Sequence, residues 1–366
     1  MFTTKSISTA LKKILADIAG IINIEYFREH IGRTHSIYLL IYLFGLIICQ
    51  KNYSLTFIEQ LIGICKHDSL LRMLNGINLT SKMLSGIFTA WIIANRKEAG
   101  WLCLDDTVIE KEYSESIEYA GFIWSSSLDR SVMGINVVAL YWTDGKIKIP
   151  VGFRIHTPKK KTVNYRTKVE LAIELLVSNE AFCKTCSYLA FDSWYCSKRI
   201  MTVCSLMGLH CSSQLKKNRL VVFNGRKMAV SALPTRFCQV NLPGYGEVLV
   251  FRDNSTRNDR YLMSSEIFLS TKGVKQRYDN RWRIEESFRY MKQNLGLCNC
   301  QCRKKAPVKA HISLVFLAHF TMEVMAHRLK KNPYECSMII LQNYMNPHGK
   351  PSSPLKYKAS LMAIIR

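Results

Sequence analysis

The sequence predicts a mixed α/β protein, and three features of the chain support that prediction. Up to about residue 95, apolar positions recur at helical spacing. From Trp101 the pattern changes to short apolar runs that end in acidic residues and alternate with helical segments. A series of short β-like pieces then precedes a long, charged helical segment. This order predicts a mixed sheet flanked by helices, with a helical N-terminal domain and a β-rich insertion.

The N-terminal region is predicted to be helical. Its most apolar stretch, residues 37–49, is about 13 residues long, short of the roughly 20 that a membrane span needs, so we expect a buried core helix. Ser54 and Ser69 precede amphipathic segments and are candidate helix caps. Two short helices over 54–75 are typical of a DNA-binding helical module, and equally of a helical cap on the next domain.

The region that follows alternates strands and helices. Residues 101–109 and 187–194 are apolar runs with acids at or near their ends, so both are predicted as buried strands. Residues 131–143 and 146–156 are β-rich and are separated by Asp144-Gly145, a hairpin turn signal. Two helices and a further strand are predicted at 166–177, 196–207 and 209–215.

The second half of the chain is predicted to contain a β-rich insertion, the last part of the core and a tail. Residues 216–270 break into short β-like pieces separated by Gly, Pro and Asn, which predicts an inserted β-rich subdomain. A closing helix is predicted over 308–328 and a loose basic tail after it. The predicted regions are a helical DNA-binding region 1–98, a first core part 99–215, an insertion 216–270, a last core part 271–330 and a tail 331–366.

The charge and cysteine content of the chain indicate which kinds of partner and compartment to expect. The chain carries 51 Lys and Arg against 27 Asp and Glu, a net charge of +24, which favours a polyanion such as the phosphate backbone of DNA. The 13 cysteines are scattered, and the Cys183/Cys186 pair has no second pair at zinc spacing. The first residues are polar and basic with no apolar segment behind them. We therefore expect reduced thiols in the cytoplasm and no membrane partner.

Residues 275–297 carry the most informative pattern in the chain. This segment contains no Pro, and its first Gly is Gly296, where a helix stop is expected, so a single helix is predicted. On that helix one narrow stripe is apolar, formed by Ile284, Phe288, Met291 and Leu295. A second stripe, within about 60°, holds Tyr278, Arg281, Glu285 and Lys292. A solvated charged face is the alternative to a site that binds phosphate and metal.

This second stripe matches a known signature. Tyr278, Arg281, Glu285 and Lys292 are separated by gaps of two, three and six residues, the pattern called YREK. The chain thus resembles the insertion-sequence-four family of bacterial transposases, within the DDE transposases. The resemblance implies a ribonuclease-H-like catalytic core, an N-terminal DNA-binding region and a β insertion ahead of the signature helix. It also implies a cytoplasmic, nucleoid-associated enzyme of bacteria.

Three acids are predicted to bind metal. Asp106 lies at the end of the first strand, Asp192 at the end of the strand 187–194, and Glu285 on the signature helix. Carboxylates suit Mg²⁺ or Mn²⁺, and two such ions about 4 Å apart can activate a nucleophile and stabilise the leaving oxygen. Asp105 competes with Asp106 because strand alternation sends them to opposite faces. The family pattern places the acid directly before a Thr, so Asp106 is the predicted ligand and Asp105 the alternative.

The remaining signature residues are predicted to bind DNA. Arg281 and Lys292 would grip phosphates, and Tyr278 would hydrogen-bond a phosphate oxygen. In the family the signature also helps to hold a base flipped out during hairpin formation, and an aromatic residue of the insertion often stacks on that base. No Trp lies in the insertion of this chain, so the hairpin question stays open. For Trp194, packing over the site is favoured over base stacking.

The predicted function is metal-dependent cut-and-paste transposition on double-stranded DNA. A homodimer would bind terminal inverted repeats, cut both strands at each end and transfer the 3′-hydroxyls to target DNA. One alternative is a ribonuclease-H-like nuclease or resolvase without strand transfer, which the signature Arg281 and Lys292 argue against. The other is a non-catalytic DNA-binding descendant of a transposase, which the intact acids argue against.

Overall fold

The computed structural model describes residues 9–49, 51–112, 114–125 and 129–345. Contacts divide the chain into two compact units. The first comprises the residues up to 88, 109–135 and the residues from 287 onward, and the second comprises 89–108 and 136–286. The domain boundaries predicted from the sequence cut the chain differently and stay predictions.

The helices are α1 Thr9–Ile22, α2 Ile24–Ile31, α3 Arg33–Ile48, α4 Leu55–Ile62, α5 His67–Gly76, α6 Ser81–Asn95, α7 Lys168–Ser178, α8 Glu180–Cys183, α9 Lys198–Leu206, α10 Thr271–Asp279, α11 Trp282–Asn294, α12 Lys305–Leu329 and α13 Pro333–Met345. The strands are β1 Trp101–Glu110, β2 Gly121–Ser125, β3 Arg130–Thr143, β4 Lys148–His156, β5 Tyr188–Phe191, β6 His210–Leu215, β7 Leu220–Phe223, β8 Arg226–Ala229, β9 Phe237–Leu242, β10 Gly246–Asp253 and β11 Arg260–Ser264. Short 3₁₀ turns cover Lys159–Lys161 and Val230–Ala232. The predicted mixed α/β class is confirmed.

The first unit is mainly helical. The predicted buried core helix is α3, whose residues from Ile41 to Ile48 are all buried. Ser54 caps α4 by accepting a hydrogen bond from the backbone N–H of Phe57 at 3.2 Å, as predicted. Ser69 is not a cap: α5 begins earlier, at His67, whose backbone N–H donates to the Glu59 carboxylate at 2.9 Å. A side chain eight residues upstream therefore sets the start of α5.

Helix α12 lies at the centre of the first unit. Its length and composition would allow it to cross a membrane, yet 94% of its apolar window is buried inside the protein, as in a core helix. Phe320 packs on Phe88 with ring centroids 5.0 Å apart. His311 is bonded to the Tyr42 hydroxyl at 2.8 Å and to the Gly296 carbonyl at 3.0 Å. Burial lowers the pKa of His311 to about 4, so this bridge is built on a neutral imidazole.

The C-terminal segment differs in part from the predicted loose tail. Residues 333–345 form α13, and the hydroxyl of Tyr290 on α11 is bonded to Ser337 at 2.6 Å. Cys336 and Ile340 of α13 are buried. Burial of these side chains explains a helix where the sequence pattern predicted a loose tail. The rest of the predicted tail, 346–366, lies outside the described residues.

The second unit is built on a mixed sheet in the order β3-β1-β5-β6-β11-β10-β9-β7-β8, with β4 paired to β3. Strands β1, β5 and β6 are mutually parallel, and β3 and β4 form an antiparallel hairpin. The predicted turn is confirmed: Gly145 has φ +92°, and Asp144 accepts backbone hydrogen bonds from Lys146 and Ile147. This arrangement brings the carboxyl ends of β1 and β5 to the same edge of the sheet.

The β-rich insertion is confirmed as strands β7 to β11, which lie between β6 and α10. Its last strand, β11, pairs antiparallel with β6. The inserted strands therefore extend the core sheet, a connection that the sequence pattern did not indicate.

The signature segment forms two helices where one was predicted. Helix α10 ends at Asp279 and α11 begins at Trp282. Between them the backbone N–H groups of Arg281, Arg283 and Ile284 donate three residues back, a tight turn that breaks the α-helical pattern. The Asn280 amide donates to the Tyr188 hydroxyl at 2.7 Å, which holds this turn against β5. The predicted apolar stripe and the stop at Gly296 (φ +67°) are confirmed.

Helix α10 is fastened to the sheet through a buried carboxylate. Asp253, at the end of β10, is 1% exposed and binds Lys275 of α10 and Arg260 of β11 at 2.6 Å each. Burial opposes the charge of Asp253, but hydrogen bonds from Lys275 and Arg260 outweigh it and hold the pKa well below the usual range. This ion-paired carboxylate therefore stabilises the fold above the unfolded-state pKa and loses that effect as the pH falls through acid values.

We expect Asp253→Asn to lower the free energy of unfolding at pH 7 by about 3 kcal/mol, the low end for a broken buried ion pair, because it leaves two cations facing a neutral side chain. The difference from the parent protein shrinks as the pH falls below 4. Urea unfolding at pH 7 and pH 3 measures both effects. The control is Asp259→Asn, which removes a 46%-exposed partner of Arg252 and should change little. A difference that stays constant between the two pH values contradicts the linkage to Asp253.

Candidate active site

Two acids come near each other beside the end of β5: Asp105 lies within β1, which continues beyond it, and Asp192 directly follows β5. The sequence predicts Asp106 at the end of the first strand, but β1 runs on past it. The register pairs Leu104 of β1 with Phe191, the last residue of β5, so Asp105 and Asp192 are the residues that come next along the chain in each case. Neighbouring residues of parallel strands point to the same face and lie about 4.8 Å apart between backbones. The charge of Asp192 raises the pKa of Asp105, consistent with this proximity. Asp105 and Asp192 thus share one face of the sheet edge.

Arg281 brings a third acid to this face. Its Nη1 donates to Asp105 Oδ2 at 2.6 Å and its Nη2 pairs with Glu285 Oε1 at 2.6 Å. The side chains of Arg281, Asp105 and Glu285 are 14%, 16% and 31% exposed. The turn between α10 and α11 places Arg281 at the sheet, and Glu285 follows one helical turn later. A single guanidinium therefore links the first strand to the signature helix.

The Asp105 carboxyl has an unusual affinity for protons. Its pKa is raised from 3.8 to about 7, mainly by burial; the charges of Asp106 and Asp192 contribute to this rise, and Arg281 opposes it. The backbone N–H of Asp106 donates to Asp105 at 2.8 Å. The same surroundings raise the pKa of Arg281 although burial opposes its charge, because Asp105 lies beside it. A buried carboxyl with a raised pKa is typical of functional sites.

Asp106 belongs to a different network. Its carboxylate accepts hydrogen bonds from the Tyr195 hydroxyl at 2.6 Å and the Asn136 amide at 2.5 Å, and it pairs with the Lys168 ammonium at 3.0 Å. Strand alternation turns it away from the face that carries Asp105. The predicted first ligand is thus saturated by three donors, whereas Asp105 lies with Asp192 and Glu285.

Sequence reasoning missed the three partners of Asp106. Asn136 lies on β3, Lys168 begins α7 and Tyr195 follows β5, so no short motif links them. Lys168 is placed by its helix start: Thr167 and Glu170 form a reciprocal capping box at the N-terminus of α7. The capping box was the one local sequence signal near Lys168. It indicates where α7 begins, but it does not indicate that Lys168 pairs with Asp106.

All three predicted DNA contacts, those of Tyr278, Arg281 and Lys292, stay predictions. Tyr278 is 5% exposed and lies in an apolar cluster with Leu249 and Leu262. Its hydroxyl donates to Gln214 at 3.1 Å, so it is already bonded within the protein. Lys292 follows Glu285 by seven residues on α11, two turns or about 10 Å along the same face. It belongs to the first compact unit.

The acids suit a divalent cation by their chemistry, although they are not gathered as ligands. Within the part of the chain that the structure describes, no three His, Cys, Asp or Glu side chains lie close enough to hold a metal ion. The Arg281 guanidinium occupies the space between Asp105 and Glu285, and its buried Nε has no hydrogen-bond partner there. A cation already lies among these hard oxygen donors, so the donor set fits a divalent ion once Arg281 moves.

Comparisons with known families decide the class of this protein. The family described as DDE superfamily endonuclease matches residues 26–236, more than half of the chain. The chain belongs to this DDE superfamily of endonucleases. A second family, described as "Archaeal putative transposase ISC1217", matches residues 154–330. A search of curated proteins finds no match.

Family membership confirms the coarser predictions. The DDE endonuclease family implies a ribonuclease-H-like fold, in agreement with the mixed sheet and its flanking helices. The two families support a transposase-type nuclease that acts on DNA, and DDE superfamily endonucleases generally use divalent metals. Neither family match is specific to the YREK group, so that finer assignment stays a prediction.

Proposed function

We propose that this DDE endonuclease is a DNA transposase whose reaction is carried by Asp105, Asp192 and Glu285. The observation that carries the proposal is the strand register, which places Asp105 beside Asp192, together with Arg281, which links Asp105 to Glu285. The structure favours Asp105 over the predicted Asp106 because Asp106 already has three donors. The YREK signature supports the assignment of this endonuclease as a transposase.

Each residue has a distinct task. Asp105 presents carboxylate oxygens from within β1, Asp192 from the residue after β5, and Glu285 from α11, so these three would hold the ions. Two divalent ions, Mg²⁺ or Mn²⁺, supply Lewis-acid activation of a water or 3′-hydroxyl and charge stabilisation for in-line displacement. Arg281 positions two of the acids, and its predicted phosphate contact requires release from one of them. Lys292 binds phosphate further along α11.

The remaining parts of the proposal concern the DNA complex. The helical N-terminal region binds terminal inverted repeats, and the net charge of +24 supports binding to a phosphate backbone. Pairing of two element ends requires a homodimer on the DNA, which then joins the 3′-hydroxyls to target DNA. All 13 cysteines are free thiols, which supports a cytoplasmic site of action.

We expect Asp192→Asn and Glu285→Gln each to lower Mg²⁺-dependent DNA cleavage by at least about a hundredfold, because loss even of an outer-shell partner of a metal site costs 10–100-fold. The substrate is DNA that flanks the reading frame, and the readout is nicking on a denaturing gel. Glu247→Gln, an isosteric change of an exposed acid on β10, is the matched control and should keep full activity.

A second assay separates cut-and-join chemistry from cutting alone. Pre-cut ends with free 3′-hydroxyls are incubated with a target plasmid, and joined products are counted. Joining that disappears in Asp192→Asn supports the transposase. Cleavage without joining assigns a nuclease instead, and activity in both acid variants equal to that of Glu247→Gln refutes catalysis by these residues.

A further inference from the structure

Three cysteines occupy alternate positions in the segment between α11 and α12. Cys298, Cys300 and Cys302 are each partly exposed. All 13 cysteines lie in the described part of the chain; nine are buried, and the remaining partly exposed one is Cys238 on β9. A thiol must be accessible in order to react. Three of the four accessible cysteines therefore lie within one short segment.

Two of these thiols are in contact with each other. The side chains of Cys300 and Cys302 are hydrogen-bonded, and the backbone N–H of Cys302 also donates to the Cys300 sulfur. Residues two apart have Cα atoms at most about 7 Å apart, and a disulfide spans about 4.4–6.8 Å between Cα atoms. The two sulfur atoms can therefore be joined by a local adjustment of the backbone.

A lysine holds the backbone of this segment. Lys111 comes directly after β1, and its Nζ donates to the Cys298 carbonyl at 2.7 Å and to the Cys300 carbonyl at 2.5 Å. After the last cysteine, the backbone N–H of Glu118 donates to the Arg303 carbonyl at 2.9 Å. Lys111 thus links the end of β1 to the segment that leaves α11, and it brings a positive charge close to the thiols.

The surroundings favour a thiolate at Cys302. The hydrogen bond from the Cys300 thiol lowers the pKa of Cys302 to about 7, and the Lys111 ammonium acts in the same direction, whereas burial opposes both. The same hydrogen bond, together with burial, raises the pKa of Cys300. One sulfur is therefore prepared to attack while its neighbour stays protonated, as in a reactive cysteine beside a resolving cysteine.

We propose that Cys300 and Cys302 form a modification site for hydroperoxides, at which the two thiols close reversibly to a disulfide. The Cys302 thiolate attacks one peroxide oxygen, the O–O bond breaks, and the other oxygen takes a proton from solvent and leaves as water or an alcohol. The Cys300 sulfur then attacks the sulfur of the Cys302 sulfenic acid, and the released hydroxide takes the Cys300 proton to form water. The two thiols supply the two electrons that reduce the peroxide.

Closure of the disulfide acts on the link between β1 and α11. Joining the two sulfur atoms turns the backbone at Gln301 and moves the Cys300 carbonyl, which is one of the two acceptors of Lys111. Asp105 lies on β1 and Glu285 on α11, so a weaker link at the ends of these elements holds the two acids less firmly. This consequence, a fall in DNA cleavage on oxidation, rests on the proposed function, whereas the disulfide itself does not.

The first test detects the disulfide directly. Reduced full-length protein is treated with hydrogen peroxide, free thiols are blocked with N-ethylmaleimide, and the tryptic peptide 293–303, which contains all three cysteines of the segment, is analysed by mass spectrometry. The peptide should lose two hydrogens and carry the blocking group on Cys298 alone, and dithiothreitol should reverse both changes. Cys300→Ser and Cys302→Ser should each abolish the loss of hydrogens, whereas Cys298→Ser should keep it.

A second readout follows activity. Peroxide should lower Mg²⁺-dependent nicking by the parent protein by about tenfold, because a displacement of about 1 Å far from the chemistry can cost a hundredfold. Dithiothreitol should restore the activity, and Cys300→Ser should keep it in peroxide. Cys238→Ser is the matched control, since it removes a partly exposed thiol outside the segment and should respond to peroxide as the parent protein does.

Failure of this inference is distinguishable from failure of the proposed function. A peptide that carries three blocked cysteines after peroxide treatment, or a disulfide that survives Cys302→Ser, overturns the modification site. A disulfide that forms while nicking stays unchanged overturns the effect on β1 and α11. Disulfide formation in a protein that cleaves no DNA in either redox state refutes the catalytic proposal and keeps the modification site.

Discussion

Asp105→Asn is expected to abolish DNA cleavage, with a loss of at least about a hundredfold, whereas Asp106→Asn should cost less than about tenfold. Asp105 shares a face with Asp192 and reaches Glu285 through Arg281. Asp106 is held by Tyr195, Asn136 and Lys168, so we expect it to position β1 and α7. Mg²⁺-dependent nicking of flanking DNA measures both variants against the parent protein.

The Asp106 variant needs its own control because it leaves the Lys168 ammonium without a carboxylate at a half-buried site. The double change Asp106→Asn with Lys168→Met removes both charges, and thermal unfolding shows whether the fold is kept. If Asp106→Asn is inactive in a folded protein and Asp105→Asn is active, the first ligand is the acid before Thr107, as the family pattern predicts. That outcome would refute our assignment of Asp105.

The choice between these two acids marks the limit of what the sequence determines. Local pattern predicted that β1 is a strand and that neighbouring acids point to opposite faces. Which face carries the site depends on the register of β1 against β5, between residues almost 90 positions apart. No turn connects those strands directly, so no local signal sets that register. The hairpin of β3 and β4 was predictable for the opposite reason, since Asp144-Gly145 lies between its strands.

The break in the signature segment has a similar cause. Residues 275–295 contain neither Pro nor Gly, so propensity favours one helix. Two long-range bonds act on the turn: Asn280 donates to Tyr188, and Arg281 pairs with Asp105. Tertiary contacts of this kind override a local preference worth only tenths of a kcal/mol per residue. Sequence spacing selected the candidate residues on this segment, which stay predictions, and it did not indicate the turn that aims Arg281.

We expect Arg281→Ala to lower the free energy of unfolding by about 3 kcal/mol at pH 8.5 in EDTA, the low end for a broken buried ion pair. Arg281 is the cation between Asp105 and Glu285, and its removal leaves two carboxylates close together with little solvent. Urea unfolding at pH 6 and pH 8.5 measures the effect. Arg283→Ala is the control, because that side chain is 40% exposed and pairs with Glu286. It should cost less than about 1 kcal/mol.

The effect should depend on pH in a defined direction. Asp105 has a folded-state pKa of about 7, above its ordinary 3.8, so the folded protein holds this proton more tightly than the unfolded chain. Stability in the parent protein therefore falls as the pH rises from about 4 to about 7 and then levels off. Without Arg281 the pKa of Asp105 rises further, so the fall continues at higher pH. The destabilisation is thus larger at pH 8.5 than at pH 6.

Arg281→Ala also tests whether the guanidinium of Arg281 occupies the position that a divalent metal ion would take between Asp105 and Glu285. Added Mg²⁺ stabilises whichever state binds it, and its effect grows with affinity. The variant should gain more thermal stability from millimolar Mg²⁺ than the parent protein, because no bound guanidinium competes for Asp105 and Glu285. A variant that loses the same stability at both pH values, or gains no more from Mg²⁺ than Arg283→Ala, shows that Arg281 does not neutralise these acids. Asp105, Asp192 and Glu285 would then have separate roles and would not form one metal site.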